Sequence, residues 1–144
     1  MRPLLFLHIS SVALWLGSLV TLYILNRREI APNNPEALSI VYGTTRSVVR
    51  KVINPSSLIV LLSGIGMMVQ LGLVGQSKPF WLTFMEQFGG MVALISVALL
   101  TWQMRKVDRA AADERAALLK RLNRTMLGVG AGVLATILVV TFRL

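Results

Sequence analysis

The sequence predicts an all-α polytopic membrane protein: an antiparallel four-transmembrane-helix bundle with a cytoplasmic amphipathic helix between spans one and two. Three observations predict it. Of 144 residues, 55% are hydrophobic and only 15% charged, against about 25% charged in a water-soluble domain, and the mean hydropathy is +0.69. The apolar residues gather into four long runs. Twelve of the fifteen Lys and Arg residues fall in two of the three connections between those runs.

The spans follow from length. About 20 residues of helix cross a ~30 Å hydrocarbon layer, and Pro3 to Leu25 meets that with His8 as its only side chain that could ionise below neutral pH. This first span follows Arg2, as a secretory signal would, but it is too long for one, lacks a small-residue cleavage site and ends in Arg27-Arg28, so it is expected to be retained. The second span is expected from Pro55 to Val74, with Asn54 as N-cap and Pro55 at the first helical position, where a missing N–H costs nothing. Pro79 and Phe80-Trp81 open the third, which runs from 80 to 104 with Glu86 as its one charge, and Thr125 to Phe142 is the uncharged fourth. A membrane barrel is excluded, since its strands alternate in ~10-residue segments and these runs are continuously apolar. The whole chain, 1–144, reads as a single membrane domain.

Sidedness follows from charge. Arg27, Arg28, Arg46, Arg50 and Lys51 lie in the first connection, and Arg105, Lys106, Arg109, Arg115, Lys120, Arg121 and Arg124 in the third. The positive-inside rule makes both connections cytoplasmic, which places the N- and C-termini outside a bacterial inner membrane. Tyr23 and Trp102 mark the inner interface and Trp81 the outer. The basic excess is thus a topology signal whose expected partner is anionic lipid headgroups, with Arg27, Arg28, Arg46, Arg50 and Lys51 as contacts, rather than nucleic acid. Asn34-Pro35-Glu36 repeats the Asn-Pro helix start, and Leu38, Val41, Tyr42, Thr45, Val48, Val49 and Val52 recur at three- and four-residue steps. That is the amphipathic helix. Residues 105–124 carry no Gly or Pro and predict a helical hairpin with a solvated charged face. Small residues at Gly17-Ser18, Ser63-Gly64 with Gly66, Gly89-Gly90 with Ala93, and Gly128 with Gly132 predict close helix packing, and leave faces for a homo-oligomer or a larger membrane complex.

Chemistry is narrowly bounded. No cysteine is present and only one histidine, which removes disulfides, thiolate metal sites and any site with two His ligands from one chain. Ionisable residues inside a span are the default functional candidates, and there are two, His8 and Glu86. His8 lies about 6 Å below the outer end of span one at 1.5 Å per residue, and Glu86 lies at nearly the same depth on span three. Met67, Met68 and Met85 belong to the same layer. Trp15 follows His8 by two turns on one helix face, with Ser11 between them. Three readings follow: a haem b pocket with His8 as axial ligand and a methionine or outside group opposite; a copper site of His8, Met67, Met68 and Met85; or a proton-active His8–Glu86 pair beside a quinol-like or porphyrinogen-like substrate. Against these stands a cofactor-free role in which His8 and Glu86 satisfy each other or a backbone carbonyl and the methionines pack.

Leu7-His8-Ile9 followed by Trp15-Leu16-Gly17-Ser18-Leu19 resembles the first-span pattern of the copper resistance D and HemJ-like group of small bacterial four-helix membrane proteins. Asn54-Pro55-Ser56-Ser57-Leu58 through Ser63-Gly64, and Pro79-Phe80-Trp81-Leu82, are similar to the group's second and third spans. The closest likeness is to its branch of uncharacterised predicted integral membrane proteins. The resemblance implies a four-helix core, an outer-leaflet His8 and a connection with haem, porphyrin or copper. The function expected is a haem- or copper-associated membrane protein in a respiratory or redox context. The alternatives are a cofactor-free structural accessory subunit of a larger complex, and a HemJ-like porphyrinogen or quinol oxidoreductase.

Overall fold

The computed structural model describes residues 2–29 and 34–143. These form helices α1 (Arg2–Glu29), α2 (Pro35–Val48), α3 (Asn54–Gln70), α4 (Phe80–Phe84), α5 (Gly90–Arg109) and α6 (Ala112–Phe142), with π-helical turns at Val49–Ile53 and Met85–Gly89. Four helical rods, Arg2–Arg28, Pro35–Gln70, Phe80–Arg109 and Ala112–Phe142, are long and apolar enough to cross a membrane. The chain is therefore a polytopic helical membrane protein.

The amphipathic segment is not a separate element. It continues without a break into the second span, making one rod of 36 residues, about 54 Å long at 1.5 Å per residue. Asn54-Pro55, expected to start a helix, sits inside it. A proline in a helix removes one N–H and crowds the carbonyl four residues back, and here the π-turn before it absorbs the fault: the Asn54 N–H bonds to the carbonyl of Val49, five residues back. Asn54 caps nothing. Its side-chain amide instead donates to Thr101 Oγ1 of α5, 2.9 Å away. The rod ends at Gln70 rather than Val74, in a turn where Gly72 and Gly75 take positive φ. α5 and α6 meet at Ala110-Ala111, two extended residues. Lys106 and Arg109 stand in the last turn before this link and Asp113 and Glu114 in the first turn after it, each sign favourable to its helix terminus.

The rods pack as a square. α1 lies against α3 and α6, and α5 lies against α6 and α3, so α1 and α5 stand on one diagonal. Gly64 faces the His8 ring, Gly66 faces Leu4, Gly89 faces Thr136 and Gly132 faces Val92; a Cβ at Gly132 would come within 3.1 Å of Val92 Cγ2. Gly17 and Gly128, expected in the same role, face open space.

Burial is uneven along the rods. Leu19, Leu22, Val41, Val49, Ile53, Leu100, Met104, Val107, Leu119 and Leu122 are fully enclosed, and most of them lie toward the end that carries the arginines and lysines, where α2 extends the second rod beyond α3. Toward the other end Phe6, Ile9, Leu62, Ile65, Val69, Leu94, Leu134 and Leu138 point outward. The exposed surface is apolar there and charged at the basic end, the inverse of a soluble domain over half its length. A band of amide side chains ties the basic end together: Thr45 Oγ1 donates to Asn26 Oδ1, Asn123 Nδ2 to the Tyr23 carbonyl, and Gln103 Nε2 to Thr125 Oγ1, at 3.1, 3.3 and 2.8 Å.

Candidate functional site

His8 stands on the face of α1 that packs against α3. Its Nδ1 lies 3.0 Å from the Val60 carbonyl oxygen and 3.1 Å from Ser63 Oγ. A carbonyl only accepts, so Nδ1 carries the proton and Nε2 carries the lone pair. Ser63 is itself oriented, its hydroxyl donating to the Ile59 carbonyl. Gly64 faces the ring; a Cβ there would stand 3.5 Å from His8 Cε1, an ordinary contact distance. Among the described residues Nε2 has no hydrogen-bond partner.

The shared depth of the other candidates did not bring them together. Met67 and Met68 follow Ser63 on α3, the helix that touches His8, with Met68 buried and Met67 half-buried. Met85 and Glu86 lie on the second π-turn, which packs against α5, α6 and α4. His8 and Glu86 are not paired: Glu86 is exposed and accepts from Lys78 Nζ at 2.6 Å, and His8 takes a backbone carbonyl. The reason is topological. In an up-down bundle the first and third spans are diagonal, so equal depth places two residues in one layer without placing them in contact. Of the expected copper set, Met85 is set apart from His8 in this way, whereas Met67 and Met68 lie on α3, which packs against α1. Trp15 is buried in the core with its Nε1 unpartnered among the described residues.

A second polar cluster lies at the basic end. Asp108 on α5 accepts from the Tyr42 hydroxyl at 2.7 Å and from Arg50 Nη2 at 2.7 Å, with Arg46 Nε at 3.5 Å. Arg115 of α6 lies over the Tyr42 ring, 4.7 Å from its centroid. Sequence reasoning missed this cluster, although Tyr42, Arg46 and Arg50 recur every four residues and Asp108 is the lone acid among basic neighbours. Arg46 and Arg50, expected at lipid headgroups, are half-exposed and engaged by Asp108; Arg27, Arg28 and Lys51 are exposed.

Tyr42 lies in α2, outside the apolar zone. The Asp108 carboxylate, by accepting the phenolic proton, holds Tyr42 above the ordinary tyrosine range, and burial adds to this. A raised folded-state pKa means that the stability contributed is fully present below about pH 10, the unfolded value, and is lost as pH rises through the folded value. Tyr42→Phe should therefore flatten the alkaline limb of a melting-temperature series between pH 8 and pH 11. An alkaline limb unchanged from the parent protein would remove the assignment.

A scan against protein-family models and searches of curated proteins and of solved structures return no match for this chain.

Proposed function

We propose that this chain is a small bacterial inner-membrane protein, with both termini outside, that binds haem b through His8 Nε2 in a respiratory or redox setting. The observation that carries the reading is the His8 tautomer: Nδ1–H anchored on the Val60 carbonyl leaves Nε2 as a free, oriented lone pair, the arrangement that orients metal-ligating histidines. Haem suits this better than copper, because one imidazole suffices to hold a porphyrin iron while Cu(I) calls on several soft ligands, and Met85 of the expected set lies on the π-turn that packs with α4, α5 and α6. A haem held there supplies a one-electron redox centre. His8 would bind its iron, and Val60 and Ser63 would keep the ring in register. A methionine of this chain or a group from outside it would complete the iron's ligands, and the latter would suit a homo-oligomer or a subunit of a larger membrane complex.

The test is an absorption spectrum of detergent-purified protein, oxidised and dithionite-reduced, with metal analysis of the same sample. A Soret band with reduced α and β bands is expected, lost in His8→Ala and weakened in Ser63→Ala, where ring orientation is loosened. A featureless, metal-free sample would leave His8 as a link between α1 and α3 and return the chain to the role of a cofactor-free accessory subunit.

A further inference from the structure

A buried amide side chain is costly inside a helical bundle unless both of its ends are matched. At the basic end two of them are matched only halfway. Asn26 of α1 is fully enclosed and Asn123 of α6 is 7% exposed. Asn26 Oδ1 accepts from Thr45 Oγ1 of α2 at 3.1 Å, and Asn123 Nδ2 donates to the Tyr23 carbonyl of α1 at 3.3 Å. Their other ends, Asn26 Nδ2 and Asn123 Oδ1, are closed to bulk solvent and have no partner among the described residues. The two loose ends are complementary, since one donates and the other accepts. They are also neighbours. Asn123 is tied to Tyr23, and Asn26 stands three residues further along α1, on the same side of that helix. Leu22, one turn back on α1, and Leu119 and Leu122 on α6 are fully enclosed as well.

We infer that one internal water is built into this junction of α1, α2 and α6, accepting from Asn26 Nδ2 and donating to Asn123 Oδ1. Water is the smallest molecule that both donates and accepts, which suits two unlike atoms closed to bulk solvent. Two hydrogen bonds lie within the usual range for a buried water. The bridge joins two short links into one chain, from Thr45 through Asn26, the water and Asn123 to the Tyr23 carbonyl. α2 is thereby coupled to α6 through α1 and a solvent molecule. The site depends on the packing of the basic end alone and is independent of haem at His8.

Nuclear magnetic resonance of the full chain in detergent micelles tests it, through cross-relaxation between water and the Asn26 side-chain amide protons. The spectrum is recorded in the rotating frame, where cross-relaxation and proton exchange differ in sign. A cross-relaxation peak from a long-lived water is expected at Asn26 Nδ2, and it should vanish in Asn123→Leu. No such peak in the parent protein, or a peak that persists in Asn123→Leu, would overturn the site. The parent spectrum decides alone if the variant fails to fold. Unfolding midpoints supply a second reading. Asn26→Leu and Asn123→Leu should each lower the midpoint by orphaning the other amide, and the double variant should lose less than the sum of the two. Additive losses would mean that the two amides share no bridge. Losses short of additive without the water peak would assign a direct amide–amide bond in place of the water.

Discussion

Leu119→Ala should lower the unfolding free energy by about 2–5 kcal/mol, the cost of deleting a fully buried leucine and leaving a cavity. Leu134→Ala on the same helix should cost under about 0.5 kcal/mol. Leu119 is 0% exposed and Leu134 is 53% exposed. Leu119 lies in the charged stretch of α6 and belongs to the same buried cluster as Val107, Leu122 and Val41, at the charged end, where the hydrophobic effect is expected to operate in full. Leu134 points outward from the apolar zone, where lipid tails are as apolar as the leucine itself. Unfolding titrations of the two variants in detergent, against the parent, give both numbers. Comparable losses would mean that the structure's division into a packed basic end and a lipid-facing far end is mistaken.

Asp108→Ala should rank next, at about 1–3 kcal/mol. The substitution removes the acceptor of a tyrosine hydroxyl and of one arginine hydrogen bond, bonds worth more than neutral ones. The half-exposed arginines, with side chains 45% and 51% exposed, keep the figure at the low end of what a buried charged group would show. The consequence is local. α2 loses its tie to α5, so trypsin should cut faster at Arg46 and Arg50, and the difference from the parent should shrink in high salt as the remaining charges are screened. Unchanged cleavage together with an unchanged unfolding midpoint would show that the cluster does not hold α2 in place.

Much of the fold was legible because the membrane imposes coarse rules. Four apolar runs of sufficient length, only one of them carrying a charge, and the absence of alternation lead to four helical rods whatever the details of packing. The boundaries were less so. The Asn-Pro pair at 54–55 carries a start signal, and the π-turn that lets the helix pass through it depends on the Val49 carbonyl meeting the Asn54 N–H, a backbone adjustment with no side-chain signature. Ala110-Ala111 carries no turn residue, so the hairpin expected over 105–124 had no place in the sequence for its turn. The buried heptad face of α1, with Ser11, Trp15, Leu19, Leu22 and Asn26, was visible in part through the spacing of His8, Ser11 and Trp15.

The candidate site divides in the same way. Sequence alone determined that His8 is the one histidine and that it lies within an apolar helix near its start, and it led to the expectation that Glu86 occupies a similar depth. Depth is a property of one helix measured against the apolar layer, so it can be counted along the chain. Partnership is a property of two helices, set by their order around the bundle and their rotation about their axes, and neither is written in the spacing of a single run. Only the tertiary structure decided that His8 faces Val60 and Ser63 rather than Glu86, that Glu86 turns out to Lys78, and that Asp108 gathers Tyr42, Arg46 and Arg50 from a helix more than fifty residues away in sequence. The physical reason is that these contacts depend on which helix faces meet, and close approaches such as Gly132 against Val92 belong to the packed bundle rather than to any single run.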